Sequence, residues 1–133
     1  MSPINKTRAI ILVSSLVLTF VIIRATLYFY PNADFYVLGY NIHHLYTGLL
    51  LVILGGIPLI LFSLQSPISY LATFIFGVGL SLAIDEWVYL IATDGNNNSY
   101  YLPVSFWGGL IMVVLTSIYI GVLYLFFSRK ENN

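Results

Sequence analysis

Five ionisable residues lie within or at the start of long apolar segments of this 133-residue sequence, and these are the residues that could do chemistry. They are Arg24 in the first segment, His43 and His44 at the start of the second, and Asp85 and Glu86 in the third. An ionisable side chain inside a membrane span costs about 2.5–3.5 kcal/mol, so each needs a partner or a function. Two imidazoles and two carboxylates are ligands that zinc, manganese or iron accept. One hypothesis is therefore a metal site formed by His43, His44, Asp85 and Glu86.

The composition predicts an integral membrane protein. Hydrophobic residues make up 59% of the chain and charged residues 8%, whereas soluble domains carry about 25% charged residues. Lys and Arg together balance Asp and Glu at five each, so there is no basic field that would attract nucleic acid. The absence of cysteine from the sequence excludes disulfides, thiolate metal sites and cysteine nucleophiles. The expected surroundings are the lipid bilayer.

Four apolar segments are long enough to cross a bilayer, which requires about 20 residues per helix. They cover about residues 8–30, 42–62, 70–92 and 104–127. Connectors rich in Pro, Gly, Asn and Ser separate them, and their shortness favours antiparallel neighbours. The predicted fold class is all-α, an integral membrane protein of four antiparallel transmembrane helices that form a single domain over residues 1–133.

Basic residues predict the orientation in the cell membrane. Lys6 and Arg8 precede the first helix, and Arg129 and Lys130 follow the last. The positive-inside rule then makes both termini cytoplasmic. A cleaved signal peptide is the alternative for the N-terminus, but its apolar stretch is long and no clean cleavage site follows it. We therefore expect the first helix to be retained.

The five ionisable residues are expected at one level of the bilayer. With a rise of 1.5 Å per residue, Arg24 lies about 9 Å below the outer end of its helix. Asp85 and Glu86 lie about 11 Å below the outer end of theirs, and His43 and His44 within about a turn. Helices of alternating direction thus bring all five into the outer half, which predicts one buried or water-lined cluster reached from outside.

Other polar residues near the outer boundary have simpler interpretations. Tyr46 and Asp94 are expected to be outer neighbours of the cluster. The sequence has 11 Tyr and 2 Trp, and those near the outer boundary, including Tyr100 and Tyr101, are interpreted as an interfacial aromatic belt without chemistry.

Small residues predict where the helices touch. Gly77, Ser81 and Asp85 follow one another at intervals of four in the third segment, and Gly48 and Gly55 lie approximately on one face of the second. Since small residues let membrane helices approach closely, these stripes predict contact between the second and third helices. Glycines of the fourth segment that could pack against a partner or a second copy are Gly108, Gly109 and Gly121.

Three functions are compatible with the cluster. In the first, Arg24 pairs with one acid, the histidines bond the other, and the chain is an accessory or structural subunit of a larger membrane complex. In the second, a bound metal generates hydroxide and hydrolyses an ester or amide of a lipid. Against it, the sequence has neither an H-E-x-x-H motif nor the Glu-x-x-His pairs of di-iron bundles. Whether the chain is an enzyme therefore stays open.

The third and weakest alternative is a path for protons or ions. Carboxylate and histidine chains carry protons in pumps and transporters. However, the inner halves of the second, third and fourth segments have no charged residue or histidine to continue such a path. Pro58, with Gly55 and Gly56, could break the second helix there and open a route.

The two motifs that contain the cluster resemble a known pattern. It is that of a widespread group of small, uncharacterised archaeal and bacterial integral membrane proteins, with His-His-x-x-x-Gly at the head of one helix and Gly-x-Gly-Leu-x-x-Asp-Glu in the next. The matching residues are His43, His44, Gly48, Gly77, Gly79, Leu80, Asp85 and Glu86. Leu80 lies further from Asp85 here than in that pattern. The resemblance covers about residues 40–95 and implies that the two motifs belong together, without implying an activity.

Overall fold

Four long helices dominate the chain in a computed structural model that describes residues 5–31, 36–38, 40–61 and 67–131. These helices are α1 Lys6–Phe29, α2 His44–Leu61, α3 Pro67–Ala92 and α4 Pro103–Glu131. A short 3-10 helix, Asn97–Tyr101, connects α3 to α4. Within the described ranges all four long helices have the length and apolar character needed to cross a membrane. The prediction of a helical chain with four candidate membrane spans is confirmed.

Local sequence explains where the helices begin and end. The side chain of Asn5 accepts a hydrogen bond from the backbone N–H of Arg8 at 3.2 Å, which caps α1. Pro67 and Pro103 are the first residues of α3 and α4, where a missing N–H costs nothing because it would have no partner within the helix. Pro31 follows the end of α1.

The connector between α1 and α2 contains a small hairpin that the sequence analysis did not predict. Strand β1, Tyr36–Val37, pairs in antiparallel fashion with strand β2, Tyr40–Asn41. Leu38, in the turn between them, has a positive φ of 51°. Strands of two residues are too short to produce a recognisable alternation of apolar and polar residues, so the sequence pattern does not predict them.

Helix α3 is the centre of the arrangement. It packs against each of the other long helices, and α1 also packs against α4, whereas α2 packs mainly on α3. The buried core at the junction of α1, α3 and α4 consists of Leu16, Phe20, Ile84 and Val113. The chain is therefore a three-helix core with α2 attached to one side of α3.

Glycines bring the backbones of α2 and α3 into direct contact. A Cβ atom at Gly48 would lie 2.6 Å from the carbonyl oxygen of Gly79, and one at Gly79 would lie 2.6 Å from the carbonyl oxygen of Gly48. A Cβ atom at Gly55 would lie 2.6 Å from the carbonyl oxygen of Ala72. The predicted contact face of α2, marked by Gly48 and Gly55, is confirmed.

The contact face that the sequence predicts for α3 is wrong. Gly77, Ser81 and Asp85 face α1 rather than α2: the Ser81 hydroxyl donates a hydrogen bond to the carbonyl oxygen of Leu16 at 2.8 Å, and Asp85 pairs with Arg24. Successive residues of a helix point about 100° apart, so two residues that are two positions apart, such as Gly77 and Gly79, face nearly opposite sides of α3. Because α3 is central, it presents small residues on both sides.

The glycines of α4 are divided between two roles. Gly108 packs against Val88, and Gly109 against Asp85, so both serve contacts within the chain rather than with a partner. A Cβ atom at Gly121 would meet no described atom within 4 Å. Of the three glycines, only Gly121 is still available to pack against a partner or a second copy.

Helix α2 runs without interruption from His44 to Leu61, with Pro58 inside it. The ion-path hypothesis would require an unwound segment at Pro58, which would expose backbone carbonyls to a translocated ion. The helix does not break there, since it continues beyond Pro58 to Leu61. This part of α2 supplies no such route.

The close contact of α2 and α3 can be tested by adding one methyl group. Gly48→Ala should lower the free energy of unfolding by about 1–3 kcal/mol, because the helices must separate to admit the new Cβ atom. Gly121→Ala is the matched control and should be neutral or slightly stabilising, since its Cβ atom meets open space. Unfolding in mixed detergent micelles measures both, and equal stability of the two variants would contradict the interface.

Candidate functional site

The most deeply buried charge in the described chain is paired across two helices. Asp85 of α3 has no exposed surface, and the Arg24 side chain of α1 is 11% exposed. The Nη2 and Nε atoms of Arg24 lie 2.7 and 2.8 Å from Oδ1 of Asp85. These distances are those of charge-assisted hydrogen bonds, which are stronger than neutral ones.

Arg24 also binds the segment that leads into α4. Its Nη2 atom donates to the carbonyl oxygen of Ser105 at 3.0 Å and to the Ser105 hydroxyl at 3.2 Å, and Nη1 donates to the carbonyl oxygen of Tyr100 at 3.4 Å. The guanidinium carbon lies 4.1 Å from the centre of the Tyr100 ring, a cation–π contact. One arginine thus holds α1, α3, the 3-10 helix and α4 together.

Tyr100 is a site residue that the sequence analysis assigned to the interfacial belt. It is 6% exposed, and its hydroxyl donates a hydrogen bond to Oδ2 of Asp85. Burial is the main reason that the pKa of the Tyr100 hydroxyl is raised above its usual range, and the negative charge of Asp85 raises it further. The hydroxyl therefore stays protonated and remains a donor. The sequence carries no signal for this role. A tyrosine in a polar loop turns inward only when the 3-10 helix packs against α1 and α3, and that packing is a feature of tertiary structure.

Gly109 makes room for the ion pair. A Cβ atom there would lie 2.7 Å from Oδ1 of Asp85 and 3.2 Å from Nη2 of Arg24. It would also lie 3.1 Å from the ring of Phe20, which lines the same space. The glycine therefore lets α4 pack directly against the pair.

The second acid, Glu86, faces α2. Its Oε1 atom lies 3.2 Å from Nδ1 of His44 and 3.5 Å from Nδ1 of His43, and Oε2 accepts a hydrogen bond from the backbone N–H of Leu45 at 2.8 Å. The Glu86 carboxylate thus occupies the N-terminus of α2, where free N–H groups and the helix dipole favour a negative charge. This acid joins α2 to α3 as Asp85 joins α1 to α3.

The two acid-centred groups are connected by aromatic rings. Tyr89 is almost fully buried, and its ring centre lies 6.3 Å from that of His43 and 5.4 Å from that of Tyr100. The side chains of His43 and His44 are 26% and 28% exposed. Access from the surface therefore exists on the histidine side, whereas Asp85 is enclosed.

The arrangement separates the four residues of the metal hypothesis into two groups. Both oxygens of Asp85 accept hydrogen bonds, from Arg24 and from the Tyr100 hydroxyl, and the residue has no exposed surface. The donors that could still act together are His43, His44 and Glu86. Among the residues that the structure describes, no group of three His, Cys, Asp or Glu residues has an arrangement suited to a metal ion. A metal at this smaller donor set stays a prediction.

The two expected outer neighbours lie apart from these groups. Tyr46, in the first turn of α2, is 58% exposed, and its backbone N–H donates to the carbonyl oxygen of His43. Asp94 accepts hydrogen bonds in its own loop, from the Ser99 hydroxyl at 2.6 Å and the Asn96 side chain at 2.6 Å. These bonds, Ser99 first, lower the pKa of the Asp94 carboxyl. Its contacts are those of a loop residue.

Comparison of the chain with protein-family models, with curated proteins and with solved structures found no match. The resemblance to small archaeal and bacterial membrane proteins therefore stays a prediction. The function has to be argued from the contacts of the site itself.

A double-mutant cycle tests whether Arg24 and Asp85 stabilise the fold as a pair. Arg24→Met or Asp85→Leu alone should lower the free energy of unfolding by about 3–5 kcal/mol, because each leaves one buried charge without its partner. The double variant should be more stable than either single variant, since no charge is left uncompensated. Unfolding in mixed micelles gives the three values, and additive losses would contradict the pairing.

Proposed function

We propose that this chain is an accessory, structural subunit of a larger membrane complex, embedded in the cell membrane with both termini in the cytoplasm. The observation that carries the proposal is that the polar cluster is satisfied from within. Among the side chains that the structure describes, every buried nitrogen or oxygen has a hydrogen-bond partner. Side chains that bind one another across helices stabilise a scaffold. Few of their donors and acceptors are then left to bind a substrate.

The distribution of contacts supports this role. Asp85 engages α1 and the segment before α4, while Glu86 engages α2. Each of these two carboxylates therefore joins α3 to other helices. A general acid or base needs a proton-transfer position within reach of a substrate, and Asp85, with no exposed surface, offers none.

A surface for a partner subunit is available on α4. Its exposed apolar residues recur at helical spacing and form a stripe, here called the α4 stripe: Ile111, Val114, Leu115, Ile118, Val122 and Leu125. In lipid, helices associate through close packing rather than through hydrophobicity. An exposed apolar face of this kind suits a transmembrane helix of another subunit.

The orientation can be checked independently with glycosylation. Asn5 and Asn97 both lie in N-x-S/T sequons. With both termini cytoplasmic, expression in a glycosylating membrane system should modify Asn97 and leave Asn5 unmodified. A glycan on Asn5 would contradict the orientation.

Native purification tests the subunit proposal. In a mild detergent, the chain from its native membrane should elute as part of an assembly much larger than 15.0 kDa. Ile118→Trp, on the α4 stripe, should release it from that assembly because the large ring disrupts helix packing. Ile53→Trp, on the exposed face of α2, is the matched control and should leave the assembly intact. A lone chain in wild type would contradict the proposal.

A metal-dependent membrane enzyme acting on lipids is the second candidate, favoured by one observation. Two imidazole Nδ1 atoms flank the same oxygen of Glu86, at 3.2 and 3.5 Å, and both histidine side chains reach the surface. A zinc, manganese or iron ion held there would supply a bound hydroxide.

Metal analysis separates this candidate from the structural one. After incubation with each ion and removal of the excess, an enzyme should retain about one metal per chain, and His44→Ala should lose it because an imidazole ligand is missing. Tyr46→Ala, two residues further along α2, is the control and should retain the metal. Wild-type protein that binds none of the three ions would contradict the enzyme.

A further inference from the structure

We propose that a cleft at the opposite end of the bundle from the site binds one acyl chain of an anionic phospholipid, with the lipid head group held by Arg8. The cleft has a volume of about 560 Å³ and is lined by residues of all four long helices. Its lining includes Arg8 of α1, Leu59 of α2, Phe76 of α3 and Ile120 of α4. This proposal depends on the chain spanning a membrane and is independent of the subunit proposal.

The cleft exists because α4 is held against α1 mainly toward the 3-10 helix. The ion pair of Arg24 and Asp85, with Gly108 and Gly109, holds α4 against α1 and α3 near the 3-10 helix. Toward the other end α4 separates from α1, since no described atom lies within 4 Å of a Cβ atom at Gly121. A second cleft of about 290 Å³ opens beside it. The divergence leaves room between the helices within the depth of the bilayer.

The charge at the mouth of the cleft is positive, and no carboxylate among the described residues pairs with it. Arg8 is half-buried, and its Nε atom donates to the Thr73 hydroxyl at 3.1 Å. Within the described part of the chain, neither Arg8 nor the exposed Lys6 forms an ion pair with a carboxylate. Arginine binds phosphate groups with paired hydrogen bonds, and basic pockets between transmembrane helices are a recognised site for anionic head groups.

The walls and the charge of the cleft favour a phospholipid as its occupant. The walls are almost entirely apolar, with the Thr73 and Thr116 hydroxyls among the few polar groups. An apolar chain attached to an anionic head matches both the walls and the cationic mouth.

Native mass spectrometry of the purified protein tests the proposal, with added phosphatidylglycerol as the anionic probe and phosphatidylcholine as the zwitterionic one. Wild type should retain one phosphatidylglycerol per chain in preference to phosphatidylcholine. Arg8→Gln should weaken phosphatidylglycerol binding about tenfold, the loss expected for one charged hydrogen bond, and Arg8→Lys should restore most of it. Lys6→Gln is the charge control and should change binding little.

A second pair of variants tests the cleft itself. Thr116→Trp should fill the cleft and abolish retention of the bound lipid, whereas Ile57→Trp, on the exposed face of α2, should not. The melting temperature of each variant shows that it is folded. Equal retention of both lipids by wild type, or unchanged retention in folded Arg8→Gln and Thr116→Trp, would overturn the proposal and assign the lipid to the general annulus around the protein.

Discussion

The buried ion pair between Arg24 and Asp85 is the interaction on which the rest of the structure depends. The attraction between two buried charges offsets the free-energy cost of removing them from water only if their remaining donors and acceptors are also hydrogen-bonded. The surrounding residues meet that condition: Ser105 and Tyr100 accept from the guanidinium, and Tyr100 donates to the free carboxylate oxygen. The position of the 3-10 helix and the start of α4 both follow from this requirement, as does the glycine at position 109.

The two adjacent acids have different partners because a helix turns by about 100° per residue. Asp85 faces α1, and Glu86 faces the N-terminus of α2. Neighbouring acids would repel each other if they shared one environment, and here each has its own cation or helix dipole. The central helix thus joins α1 on one side and α2 on the other through consecutive residues.

The two ends of the bundle differ in how they are closed. At the site end, hydrogen bonds and ion pairs join all four helices. At the other end, the Arg8 side chain donates a hydrogen bond to Thr73, and α4 diverges from α1 beside an apolar cleft. An arrangement that is tightly bonded at one end and open at the other leaves an apolar cleft between the helices.

The sequence by itself determined the four helices, their suitability for crossing a membrane, and the common level of Arg24, Asp85 and the histidines, because hydrophobic length and the helical rise are local properties. It also identified the glycine face of α2. Only the tertiary structure decided which acid pairs with which cation, that α3 is central, and that Tyr100 turns inward. Those choices depend on how helices rotate against one another, and periodicity within one helix contains no information about its neighbours.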